Sequence, residues 1–170
     1  MSRPAAEAVP SAYNERRAGK EGAVFEKILV PVDFAEPAAR PVDIATGLAR
    51  QSRGTVILLS VVDDSFPNPD ILSFQMPWAD YYRHLREAAR AKLEELQQQF
   101  GRGLSIDVCV IRGHPAQAIA QFAEEESCDL IVMATHGARG LQHALLGSVT
   151  RRVLHLAPCP VLVVRLPADE

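Results

Sequence analysis

Hydrophobic positions along the chain fall into five short continuous runs, separated by stretches in which they recur every three or four residues. The runs are Ile28 to Val32 (ILVPV), Thr55 to Val62 (TVILLSVV), Ser105 to Ile111, Asp129 to Ala134 (DLIVMA) and Pro160 to Arg165 (PVLVVR). Runs this apolar suit strands covered on both faces rather than half-exposed ones. The first helical stretch carries Val42, Ala45, Leu48 and Ala49 on one face. In it Pro37 suits a first helical position, whereas Pro41 is expected to kink the helix or delay its start. The longest stretch places Leu85, Ala89, Leu93, Leu96 and Phe100 on one side and stops at Gly101 and Gly103. A third helix opens at Pro115 with Ile119, Phe122 and Ala123 inward, and a fourth is expected near 148–157. The alternating β-α order predicts one α/β domain: an open, mostly parallel sheet with helices on both faces.

Two segments depart from this pattern. Residues 1–23 are polar, contain Pro, Ala and Gly, and lack apolar periodicity, which predicts a flexible N-terminal arm ahead of a domain at 24–166 and a tail at 167–170. Residues 63–78 hold Pro67, Pro69 and Pro77 together with Phe66, Phe74 and Trp78. The prolines predict an irregular loop, and the aromatics predict that it lies against something.

Composition narrows the function classes. A formal net charge of −3, with no Lys/Arg block, gives no footprint for nucleic acid. No apolar run approaches a membrane span, and the N-terminal residues lack a signal-peptide core, so a cytoplasmic location is expected. Cys109, Cys128 and Cys159 sit within or beside apolar runs without metal-ligand spacing, and are read as small buried hydrophobes.

In open α/β sheets ligands bind beyond the carboxyl ends of the strands, where the winding reverses. Two such ends stand out: the first strand runs into Asp33, and the fourth into Ala134-Thr135-His136-Gly137-Ala138-Arg139-Gly140. Gly137 and Gly140 allow close backbone approach, and Gly147-Ser148 opens a helix whose unpaired N–H groups and dipole suit an anion. Arg139 adds a charge that can pair with phosphate. A dipole contact alone contributes only ~0.3–1 kcal/mol at an exposed site, so several donors must converge. The bland alternative is a turn glycine at 137, a flexible one at 140 and a helix cap at 147–148.

The segments ILVPVDF (28–34), TVILLSVVD (55–63), RGHPAQAI (112–119), DLIVMATHGARGLQHALLGSVTRRVL (129–154) and APCPVLVVR (157–165) resemble the universal stress protein family, in the family's order. The resemblance implies a five-stranded parallel sheet in the order 3-2-1-4-5. It also implies a division between members that bind ATP and members that do not, the binders carrying Gly-x2-Gly-x9-Gly-Ser/Thr. Here Gly137, nine residues and Gly147-Ser148 match the later parts of that motif, while Ala134 stands at the first glycine.

By the same resemblance Asp33 contacts the adenosine, Pro31 or Val32 lines the base pocket, and Val56 offers backbone groups to adenine. Gly113 admits the ribose, and Gly137, Gly147, Ser148 and Val149 surround the phosphates. His136, Arg139 and Gly140 complete the candidate set, with ATP, with or without Mg²⁺, as ligand. Plainer roles stay open: Asp33 as a turn cap, Gly113-His114-Pro115 as a strand-to-helix turn, and His136 bonded to backbone.

The last strand is a sheet edge in that order, yet it reads Val161-Leu162-Val163-Val164. An apolar unprotected edge invites pairing, so a homodimer through this strand is expected, as the resemblance also implies. Three functions compete. The first is a nucleotide-binding regulatory protein that answers to an unidentified protein partner, with stress adaptation as its setting. The second is a nucleotide-free dimeric interaction module of the same fold, which Ala134 favours. The third is an enzyme. No Gly-Lys-Ser/Thr P-loop, second carboxylate for magnesium or general base beside Ser148 is present, so slow ATP hydrolysis at most is expected. A phosphoacceptor receiver is excluded, because the acidic pair at the first strand end and the lysine after the last strand are missing.

Overall fold

The computed structural model describes residues 25–33, 39–63, 78–135 and 146–165. The 1–23 arm, Pro37, nearly all of the 63–78 loop and the 167–170 tail lie outside the described residues. The elements run β1 (Lys27–Pro31), α1 (Ala39–Ser52), β2 (Thr55–Val62), α2 (Trp78–Phe100), β3 (Ile106–Arg112), α3 (Pro115–Glu125), β4 (Leu130–Ala134), α4 (Ser148–Leu156) and β5 (Val161–Val164). All strand pairs are parallel, in the order β3-β2-β1-β4-β5.

Side chains alternate across the sheet, and each set finds its own helices. Ile28, Val30, Val56, Leu58, Leu130 and Val132 pack with Val42, Ala45 and Ala49 of α1 and Leu93 of α2. Leu29, Ile57, Leu59, Ile131 and Met133 pack on the opposite face with Ala116, Ile119 and Ala123 of α3 and Val153 of α4. This is why the central strands carry no polar period: both of their faces leave water. The edge strands differ from the sequence expectation. In β3 Asp107 is exposed and Val108 to Ile111 are half-buried, and in β5 Leu162 is 39% exposed. With a single neighbour, an edge strand is covered less completely.

The change of helix face follows from crossover handedness. The chain lays β2 and β3 outward from β1 with α1 and α2 on one face. To continue with right-handed connections it must then return past β1 with its helices on the other. The winding therefore reverses between β1 and β4, which lie side by side with Ile28 opposite Leu130 and Leu29 opposite Ile131.

Two local expectations are corrected. Pro41 does not delay the start of α1: the helix is already present at Ala39, and Pro41 sits buried in its first turn. There the missing N–H has no intrahelical acceptor in any case. Trp78 belongs to α2 rather than to the preceding loop; the last proline, Pro77, directly precedes the helix.

At the amino end of the sheet the Asp129 carboxylate accepts the backbone N–H groups of Glu26 and Lys27 at 2.9 and 3.0 Å, clamping β1 to β4. Nearby, a side chain on Gly54 would collide with the carbonyl oxygens of Phe25 and Glu26, which is why the α1–β2 turn takes glycine.

Candidate nucleotide site

The site is built from the carboxyl ends of β1, β2, β3 and β4 and the amino end of α4. Pro31 closes β1, and Val32 extends its ladder, its N–H donating to the Leu59 carbonyl at 2.8 Å. Val32 is buried, whereas Asp33, the next residue, is exposed at the mouth of the crevice. On the other side of the reversal β4 ends at Ala134, followed by Thr135. Asp33 and Thr135 lie equally far along their chains beyond the Leu29–Ile131 pair, so both strands deliver their ends to one level.

Ala134 has ordinary strand geometry. The non-glycine residues with positive φ among those described are Arg53 and Ser127, so the alanine at the first motif position meets no backbone strain. Its carbonyl accepts the Thr150 hydroxyl at 3.0 Å. The next carbonyl, that of Thr135, accepts the Gly147 N–H at 2.7 Å, and the Thr135 N–H donates to Val164 at 2.9 Å. The bonds from Thr150 and Gly147 dock the start of α4 on the end of β4, and the bond to Val164 ties that end to β5.

Gly147 is the N-cap of α4 with φ −63 and ψ 157, and it has no side-chain cap. Any residue adopts that conformation, so the backbone does not demand glycine there. Its N–H is already spent on Thr135. The donors left for an anion are those of the first turn, Ser148 and Val149, which helix geometry deprives of intrahelical acceptors. Both residues are exposed. Of the three residues of this helix start that the resemblance places around the phosphates, Gly147 thus has its N–H engaged by Thr135, and Ser148 and Val149 are the ones whose N–H groups face no intrahelical acceptor.

Gly113 follows β3 with φ +153, and its N–H bonds to the Val62 carbonyl at 3.1 Å. L-residues rarely adopt that backbone, and a Cβ there would also press on the Ala118 Cβ at 3.4 Å. The turn it makes delivers His114 as the N-cap and Pro115 as the first residue of α3. The strand-to-helix role of Gly113 is thus present in the geometry, whatever else binds there.

Val56 does not join the site. It pairs with Ile28 and Ile106 near the amino ends of their strands, its side chain is fully buried, and its N–H donates to Ser105. The β2 residue level with Asp33 is Val61, two positions beyond the Pro31–Leu59 pair, half-buried and paired with Ile111. Sequence reasoning also missed Thr150 and the Arg112–Tyr82 stack, in which the guanidinium lies 4.3 Å from the ring centroid beside the end of β3. His136, Gly137, Arg139 and Gly140 lie outside the described residues.

Two of the three cysteines are buried as the sequence reading expects, and the third, on the edge strand β3, is less covered. Cys128 and Cys159 are buried and Cys109 is half-buried. Burial, with Cys159 adjacent, pushes the Cys128 thiol up to about 12, and burial followed by the Asp107 charge raises Cys109. Among the described residues no group of three or more His, Cys, Asp or Glu is placed to hold a metal ion. No described helix is long and apolar enough to cross a membrane.

An open parallel α/β sheet whose crevice lies at the β1/β4 reversal defines a Rossmann-like ligand-binding class. The sequence model of the universal stress protein family matches residues 25–165, and the chain belongs to that family. It is 34% identical over 149 residues to universal stress protein MJ0531 of Methanocaldococcus jannaschii, covering 86% of each chain. The solved structure of protein MJ0577, a universal stress protein of the same organism, superposes with a TM-score of 0.75 at 30% identity, over 86% of this chain and 100% of that one. A universal stress protein solved in complex with cAMP shares the fold, with a TM-score of 0.64 at 24% identity over 84% of this chain and 98% of that one.

Proposed function

We propose that this chain is an adenine-nucleotide-binding regulatory protein, with ATP as ligand, that acts as a cytoplasmic homodimer and not as an efficient enzyme. The observation that carries the reading is the placement of Asp33 at the end of β1 and of the α4 N-terminus on the end of β4, on the two sides of the β1/β4 reversal, with the Ser148 and Val149 N–H groups lacking intrahelical acceptors. A carboxylate on one wall suits the hydroxyls of a ribose, and a helix N-terminus on the other suits phosphate. The fold is one that holds cAMP in another universal stress protein. The ordinary backbone of Ala134 removes the main conformational objection to nucleotide in this chain.

The free edge of β5 supports the dimer. Leu162 is 39% exposed there, and on α4, the helix packed before it, Leu154 and Leu156 are 43% and 45% exposed. An apolar edge left open in water is an aggregation hazard unless a second copy pairs with it.

The test is the melting temperature of the purified protein with and without 1 mM ATP and magnesium. For a Kd of ~10 μM, mass action contributes about 2.7 kcal/mol, which raises the midpoint of a chain this size by roughly 5–10 °C. No shift in folded dimer would overturn ATP binding and leave the nucleotide-free interaction module.

A further inference from the structure

Thr150 is a polar side chain that is 3% exposed, and it sits in the first turn of a helix that is otherwise largely open to water. Threonine within a helix commonly bonds back to a carbonyl of its own preceding turn. Here the hydroxyl instead reaches the Ala134 carbonyl on β4, at 3.0 Å. Together with the 2.7 Å bond from the Gly147 N–H to Thr135, it gives α4 two anchors on consecutive carbonyls of one strand end. One anchor would leave the helix free to pivot; two fix both its height over the sheet and its rotation.

We infer that Thr150 is a positioning residue for phosphate binding: by tying α4 to Ala134 it holds the Ser148 and Val149 N–H groups at the crevice. The inference rests on the nucleotide reading. Binding groups must be held to within about 0.5 Å of their productive geometry, which a short, exposed helix does not secure by packing alone. Of the residues of α4, Thr150 and Val153 are the buried ones. In that reading the adenosine end is held by Asp33 at the end of β1 and by the end of β2, on the other side of the reversal from α4, so Thr150 bears on the phosphate part of the affinity only.

The experiment is calorimetric titration of ATP and of adenosine into the wild type, Thr150→Val and Thr150→Ser. Thr150→Val keeps the shape and removes the donor, so the ATP Kd rises roughly threefold to tenfold while the adenosine Kd does not change. Thr150→Ser keeps the hydroxyl and restores ATP binding. General destabilisation lowers the melting temperature but does not alter the ratio of the two constants. Parallel weakening of ATP and adenosine, or no change in either, would overturn the positioning role. A wild type that binds no ATP would overturn the nucleotide reading itself. Should Thr150→Val not fold, Thr150→Ala against Thr150→Ser makes the same comparison with two smaller side chains.

Discussion

The backbone N–H of Thr135 donates to the carbonyl of Val164, the last residue of the edge strand, at 2.9 Å. The carbonyl of the same Thr135 accepts the N–H of Gly147 at the head of α4. One residue thus joins the proposed phosphate donors to the strand proposed to carry the dimer. If β5 pairs with its copy, Leu162→Lys places a charge on each partner at the seam and yields a monomer in analytical ultracentrifugation at micromolar concentration. A dimer surviving that change would place the contact elsewhere. Linkage adds a second expectation: if each site binds ATP more weakly in the monomer by some factor, saturating ATP, two per dimer, must strengthen the dimer by the square of that factor.

Ala134 offers a direct test of the motif departure. Its backbone is ordinary and its carbonyl is engaged by Thr150, so restoring the family glycine brings no conformational gain. Ala134→Gly is expected to change the ATP Kd by less than about threefold and to lower stability by about 0.5–1 kcal/mol, the cost of glycine within a strand. A tenfold gain in affinity would show that the alanine methyl obstructs the ligand.

Gly113 carries a sharper structural demand. At φ +153, with the Ala118 Cβ 3.4 Å from where its own Cβ would lie, Gly113→Ala is strained on two counts. A loss of about 1–3 kcal/mol is expected in urea unfolding. The companion titration separates the two roles of the residue: unchanged ATP affinity in the folded variant assigns it to the turn, and weakened affinity adds a ribose contact.

The raised Cys128 thiol makes a pH prediction whose sign is definite. The folded state holds the proton up to about 12, whereas the unfolded chain releases it near 9.0. Between those values the unfolded state binds fewer protons, so stability falls as pH rises through that window. Below pH 9 the effect vanishes. Cys128→Ala is expected to flatten the decline in unfolding free energy between pH 9 and 10.5, and an unchanged slope would assign it to other groups.

The parts of this molecule legible in its sequence are those carried by local pattern. Continuous apolar runs marked the strands because a strand buried on both faces has no reason to alternate, and glycine and proline marked most of the turns. The order of the strands came from the family resemblance, not from periodicity. Thr150 was not legible, because its partner carbonyl is sixteen positions away in sequence and adjacent only after α4 docks. The bond from the Gly147 N–H to Thr135 was not legible for a related reason: only the folded backbone brings those two residues together.

Val56 shows how an apolar run hides direction, and it supplies the cleanest control. Nothing polar in TVILLSV distinguishes one end of the strand from the other. Yet Val56 and Val62 are about 20 Å apart at ~3.3 Å per residue. The amino end belongs to the core, where Val56 is fully buried between Ile28 and Ile106. Val56→Ala removes two buried methyl groups and is expected to cost about 2 kcal/mol, with a somewhat larger loss if the cavity does not close. Because the residue faces away from the crevice, ATP affinity of the folded variant should match the wild type. Asp33→Ala should do the reverse: weakened binding of both ATP and adenosine, with a smaller loss of stability than Val56→Ala because Asp33 is exposed. Titration and urea unfolding of the two variants side by side check the assignment, and a Val56 variant with impaired binding would return adenine to the amino half of β2.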